Sequence, residues 1–144
     1  MTLKEWAVAF ISGKDAIKQQ LVSIDERATL LAKYKDNKVQ EFFAKEQIDD
    51  LHDVFAAAKK SDADALYSVH VVCYNTEHNL KQLIFHWKEC AQHQRLFVYF
   101  VNPQSQTETK WVVNPWLHSR VSDDKKLETG LKSMFSMVEE WKKE

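Results

Sequence analysis

Apolar spacing divides the chain near residue 64. Before that point the period is helical. After it, strand-like and helix-like runs alternate. Thr2 and Glu5 have the spacing of a capping box ahead of a short apolar run from Trp6 to Ile11, and Ser23 and Glu26 repeat that spacing. Between them Ile17, Leu21, Ile24, Ala28 and Leu31 step by 4, 3, 4 and 3, which predicts a helix over residues 14–34. Residues 35–38 (KDNK) form a break. Residues 39–44 (VQEFFA) read either as a strand paired with residues 30–34 across that break or as the start of the next helix, and helix or irregular structure is the expectation. Ile48, Leu51, Phe55 and Ala58 predict a helix over residues 45–60, with Asp49 and Asp50 at its start and Lys59 and Lys60 at its end, as the helix dipole favours.

The second half changes character. Residues 66–74 (LYSVHVVCY) are β-branched and aromatic, which predicts a strand. Leu80, Leu83, Ile84, Trp87 and Ala91 then mark one helix over residues 76–94. Six unbroken apolar residues at 96–101 (LFVYFV) predict a strand buried on both faces, ended by Asn102 and Pro103. Residues 110–113 (KWVV) give a further strand across a polar loop. Leu127, Leu131, Met134, Val138 and Trp141 give a C-terminal helix from about Asp123, with Asp123 and Asp124 at its positive end. The expected fold is α+β. A helical N-terminal third (residues 1–60 mainly helical) precedes a β-α-β-β-α unit over residues 65–144, with a small mixed sheet, in one domain spanning residues 1–144. The first two strands of that unit should be parallel, joined by a right-handed crossover, and the last two an antiparallel hairpin.

Composition narrows the function. Twenty Lys and Arg face 21 Asp and Glu, giving a net charge of −1, so no dominant basic field marks the chain for nucleic acid. Gly13 and Gly130 are the only glycines, which excludes a dinucleotide-binding fingerprint, a phosphate-binding P-loop and a nucleophile elbow. Cys73 and Cys90 lack metal or redox spacing and read as free thiols of a reducing compartment. No apolar run approaches the ~18 residues of a membrane span. The expectation is a cytoplasmic protein with no membrane association.

Candidate chemistry is sparse. The segment around Asp62 and Asp64 lacks the Gly and Glu of a calcium loop, since Tyr67 and Cys73 stand there. Glu108 and Lys110 have the spacing of a metal-dependent nuclease motif, yet no Asp occurs between Ala65 and Ser122 to hold the ion with them. His86, Cys90 and His93 at i, i+4 and i+7 are candidate zinc or copper ligands, although ~10 Å along the axis separates the two histidines. They are placed on a partly exposed helix flank, so no metal or other cofactor is assigned. Phe97 and Tyr99 share a strand face that could stack bases, but the recognition consensus is absent and a doubly buried strand argues against it. Trp6, Trp87 and Trp141 fall on helical stripes and read as core. The segment from Asn114 to Arg120 is read as a loop offering Trp116 as a stacking face, Arg120 as a bidentate fork and His118 as a titratable group. With no complete catalytic set, the expected function is a non-enzymatic binding or protein-interaction module acting through Trp116, His118 and Arg120. Its partner would be a protein or a second copy of the chain. The alternative is a small enzyme or anionic-ligand-binding protein using the same loop.

Overall fold

The computed structural model describes residues 1–143. Helix α1 (Leu3–Lys14) leads into strands β1 (Leu21–Glu26), β2 (Leu30–Tyr34) and β3 (Val39–Ala44). Helix α2 (His52–Ala63), strand β4 (Tyr67–Tyr74), helices α3 (Glu77–Phe85) and α4 (Trp87–Cys90), and strand β5 (Leu96–Val101) follow. Strand β6 (Lys110–Val113), helix α5 (Pro115–Val121), a 3-10 turn and helix α6 (Leu127–Ser136) complete the chain. The six strands form one mixed sheet in sequence order, antiparallel except for the parallel pairs β3–β4 and β4–β5. The fold is α+β in a single domain, as expected.

The sheet order follows from its connections. Both crossovers run in the same direction across the sheet, so their right-handedness puts α2 and the α3–α4 pair on one face. There they cover Val69, Val71, Val98 and Phe100, with Leu131 of α6 completing the layer. Helix α1 alone covers the other face, packing Leu3, Trp6, Ala7 and Ile11 on Leu30, Ala32, Phe42, Val72 and Val101. Its capping box forms as the sequence predicts: the Glu5 amide donates to Thr2 Oγ1 (3.1 Å) and the Thr2 amide to Glu5 Oε1 (3.0 Å).

Several sequence expectations are corrected. The helix expected over residues 14–34 is a turn followed by the β1–β2 hairpin. Asp15 stops α1, its carboxylate accepting from the amides of Gln20 (2.9 Å) and Leu21 (2.9 Å), and Ile17 from the supposed apolar stripe is 95% exposed. A period of two wins because Leu30 and Ala32 bury their side chains under α1. Residues 39–44 are strand β3, paired with β2 across a turn in which Asn37 takes a φ of 67°, a region Asn tolerates. The helix expected over residues 45–60 starts later, at His52. The helix expected over residues 76–94 bends at His86, which lets Trp87 and Cys90 turn into the core while Phe85 stays exposed. Strands β4, β5 and β6, and the parallel and antiparallel pairings between them, are as expected.

The C-terminal helix ends at Ser136 rather than reaching Trp141. Buried Asn75 sets that end. Its amide donates to the carbonyls of Phe135 (3.3 Å), Val138 (3.0 Å) and Glu139 (3.4 Å), and its Oδ1 accepts from the Trp111 indole (2.8 Å). The Phe135 carbonyl of the last turn and the two carbonyls just past the helix thus find a donor. Beyond them the chain crosses the sheet end, and Trp141 stacks on Tyr74 at 3.7 Å. The side chain of Asp124, expected at the positive end of this helix, lies outside the described residues. Among the described residues no helix is long and apolar enough to cross a membrane.

Candidate functional site

Helix α1 stops before it reaches the N-terminal ends of the parallel strands. The sheet face it leaves open forms a groove of about 510 Å³, within the size range of small-ligand sites. Strand register lays out the floor. Gln40 of β3 pairs with Ser68 of β4, and Arg95, one residue ahead of β5, continues that polar row. The next row inward is aromatic: Phe42 pairs with His70, and His70 with Phe97. Their rings stack in series, at 4.5 Å and 14° for Phe42–His70 and 5.1 Å and 10° for His70–Phe97. Adjacent strands lie ~4.8 Å apart, so flat side chains in register meet face to face. Phe42 and His70 are buried, whereas Phe97 is half-exposed and lines the groove.

The rim is cationic. Lys14 from the end of α1, Lys38 from the β2–β3 turn, Arg95 and Lys110 line the groove, and no Asp or Glu does. Lys14 and Lys110 each place Nζ 5.6 Å from the Phe10 ring centroid, one from the helix and one from β6. Neither forms an ion pair among the described residues, and Lys38 is matched only by exposed Asp36 at 3.6 Å. Lys14 also suits the last turn of its helix, where the dipole favours a cation. Arg95 is held by backbone, donating to the carbonyls of Tyr67 (3.3 Å) and Ser61, so no carboxylate neutralises it. The acids gather elsewhere: Asp49, Asp50 and Glu89 line a hollow on the opposite face of the sheet.

Two tyrosines support the floor, and Tyr99 itself lines the groove. The Tyr34 phenol donates to Gln40 Oε1 (2.7 Å). Tyr99 Oη lies 2.9 Å from His70 Nδ1, and Ser68 Oγ lies 2.8 Å from His70 Nε2. Burial, reinforced by Lys14, lowers the His70 pKa to about 3, and burial raises that of Tyr99. The imidazole is therefore neutral across the physiological range. Ser68 and His70 have the spacing of a nucleophile and its base, but burial makes the ring a much weaker base than a free imidazole.

The residues singled out in the sequence lie apart from this groove. Residues 114–120 are not a loop: Asn114 caps helix α5, with Pro115 in its first turn. The stacking face of Trp116 is taken by its own helix, since the Arg120 guanidinium lies 3.8 Å over the ring and donates to the Trp116 carbonyl (2.9 Å). His118 points instead at the edge of Trp87, 5.5 Å away. The three are neighbours on one helix, and they do not line the groove. The proposed metal trio is likewise separated. His86 bonds the Asp49 carbonyl (3.1 Å), His93 bonds Asp62 (2.7 Å), and Cys90 is not on an exposed flank but in the core, where burial pushes its thiol up to about 12. No group of three or more His, Cys, Asp or Glu suited to a metal ion occurs among the described residues. Of the nuclease-like pair, Lys110 lines the groove and Glu108 does not.

Sequence reasoning missed Ser68, His70, Arg95, Lys14 and Lys38 as site residues, and met Lys110 only in the nuclease-like pair. One signal was available: Ser68 and His70 are the polar residues of an otherwise apolar strand and fall on the same face as Phe97. Comparison with protein-family models, with curated proteins and with solved structures gives no match, so the functional reading rests on this geometry.

Proposed function

We propose that the chain is a binding module for an oxyanion-bearing ligand, held in the groove over Gln40, Ser68 and Arg95. A single observation carries the reading: a chain of net charge −1 places four Lys and Arg, and no carboxylate, around one groove. Like charges gathered around one concave surface raise the local potential, and an anion that enters it is drawn in and relieves their repulsion. The anionic ligand foreseen for residues 114–120 is thereby moved to a different surface, and the weak base at His70 favours binding over catalysis.

The test is a titration with inorganic pyrophosphate at low salt, followed by amide NMR. Shifts should concentrate at Ser68, His70, Phe97 and Lys110. Lys14→Gln and Lys110→Gln should each weaken binding by ~1 kcal/mol, about fivefold, and added salt should weaken it further. Shifts spread over the surface, or affinity indifferent to both substitutions, would sink the reading.

A further inference from the structure

We infer that the groove is built for a nucleotide, with its phosphoryl group over the row Gln40–Ser68–Arg95 and its base stacked on the open face of Phe97. This rests on the oxyanion reading above and narrows it to a ligand class. Two arguments converge on it.

The first concerns which atoms of the polar row donate. The Tyr34 phenol occupies the amide oxygen of Gln40, so the amide NH₂ is what Gln40 can offer. The buried Tyr99 hydroxyl has His70 Nδ1 as its hydrogen-bond partner. With Nδ1 unprotonated the phenol keeps a direct acceptor at 2.9 Å, whereas with Nδ1 protonated its proton would have to turn to the groove that Tyr99 lines. Tyr99 therefore donates to Nδ1, and Nε2–H donates to Ser68 Oγ. The Ser68 hydroxyl proton is then left to point into the groove. Arg95 has spent two of its five N–H groups on backbone carbonyls and has no acceptor of its own. The row thus presents three groups that can donate together, which suits the oxygens of a phosphoryl group.

The second argument is the stack. Phe42, His70 and Phe97 form three parallel rings across three strands, and the series stops at the half-exposed Phe97. Strand β6 ends at Val113, and its groove-facing Val112 lies opposite Tyr99, not opposite Phe97. Asn114 follows in register opposite Phe97, but its side chain is engaged with the Gln94 carbonyl (3.0 Å) and the Leu117 amide (3.3 Å) and does not line the groove, so a fourth ring would lie on the groove-lining side of Phe97, beside the phosphoryl row. Such a nucleotide could be free or part of a single strand. The adjoining hollow shares Lys14, Lys38 and Gln40 and adds Lys18, but Asp15 and Asp36 also line it, which disfavours a strand continuing there.

The experiment compares AMP with ribose 5-phosphate, which lacks the base, on the intact chain by calorimetry. AMP should bind about tenfold more tightly, as one base–aromatic stack requires. Phe97→Leu should bring AMP down to the affinity of ribose 5-phosphate and leave ribose 5-phosphate unchanged. Nitrogen NMR of the His70 ring should show the proton on Nε2. Equal binding of the two ligands by the wild type, an equal loss of both in Phe97→Leu, or a His70 proton on Nδ1 would overturn the inference. If pyrophosphate still binds in those cases, the oxyanion reading stands and only the nucleotide assignment fails. An adenylate hexamer identifies the source: affinity more than tenfold above AMP supports a single strand, and affinity near that of AMP supports a free nucleotide.

Discussion

Acid should destabilise this protein through His70, and the size of the effect follows from linkage. The imidazole is buried, stacked between Phe42 and Phe97, and held neutral down to about pH 3. In the unfolded chain it takes up a proton near the ordinary value of about 6.5. Between those values the unfolded state binds more protons, so stability rises with pH through that window. It is fully present above 6.5 and is lost as pH falls. At pH 5 the loss relative to pH 7.5 is about 2 kcal/mol, or 1.36 kcal/mol for each unit below 6.5. That figure depends on the unfolded side alone so long as the native value lies below about 4. The perturbation that isolates it is His70→Phe, which keeps a flat ring in the stack and removes the titration. At pH 7.5 the variant should be the less stable, because the Tyr99 hydroxyl loses its partner, at a cost of ~1–3 kcal/mol, and the gap should narrow as pH falls. Urea unfolding of both proteins at pH 7.5, 6 and 5 separates the two effects. Five of the six histidines are common to both chains and cancel. The wild type should lose about 2 kcal/mol more than the variant between pH 7.5 and pH 5. Two stability curves running parallel through that range would refute the argument, since His70 would then titrate in the fold as it does in water.

Asn75→Ala should cost about 3 kcal/mol or more in a denaturant melt, because it strips the acceptor from the buried Trp111 indole and the donor from three carbonyls at the end of α6. The same variant should weaken the near-ultraviolet circular dichroism of the Trp141–Tyr74 stack, which the segment after α6 carries. Cys73 and Cys90 are both buried, with thiols pushed up by burial, so a disulfide reagent at pH 8 should modify neither in the native protein and both in urea. Arg120→Ala should change stability by less than ~1 kcal/mol, since its stack on Trp116 lies on an exposed helix, and should leave pyrophosphate binding in the groove unaltered. A tenfold loss of binding in that variant would return the site to α5.

Local pattern determined much of this protein by itself. The α+β class, the capping box of α1, the three strands of the second half and their pairing follow from apolar period and turn residues, which act over a few neighbours. The same reasoning failed where two periods were written into one segment. Residues 14–34 fit a helical stripe, and only the burial of Leu30 and Ala32 beneath α1 selects the hairpin. The C-terminal stripe likewise continues to Trp141, yet Asn75, sixty positions and more earlier, holds the carbonyls of Phe135 in the last turn and of Val138 and Glu139 just past it, where the helix has ended. Trp116 and Arg120 looked available because their i, i+4 stack on one another was hidden while the segment was read as a loop. The candidate site depended entirely on tertiary structure. Lys14, Lys38, Arg95 and Lys110 are scattered over nearly a hundred positions, and each alone reads as an ordinary surface cation. Sheet register and the early end of α1 bring them together, because strand pairing sets side chains about 5 Å apart whatever their distance in the chain.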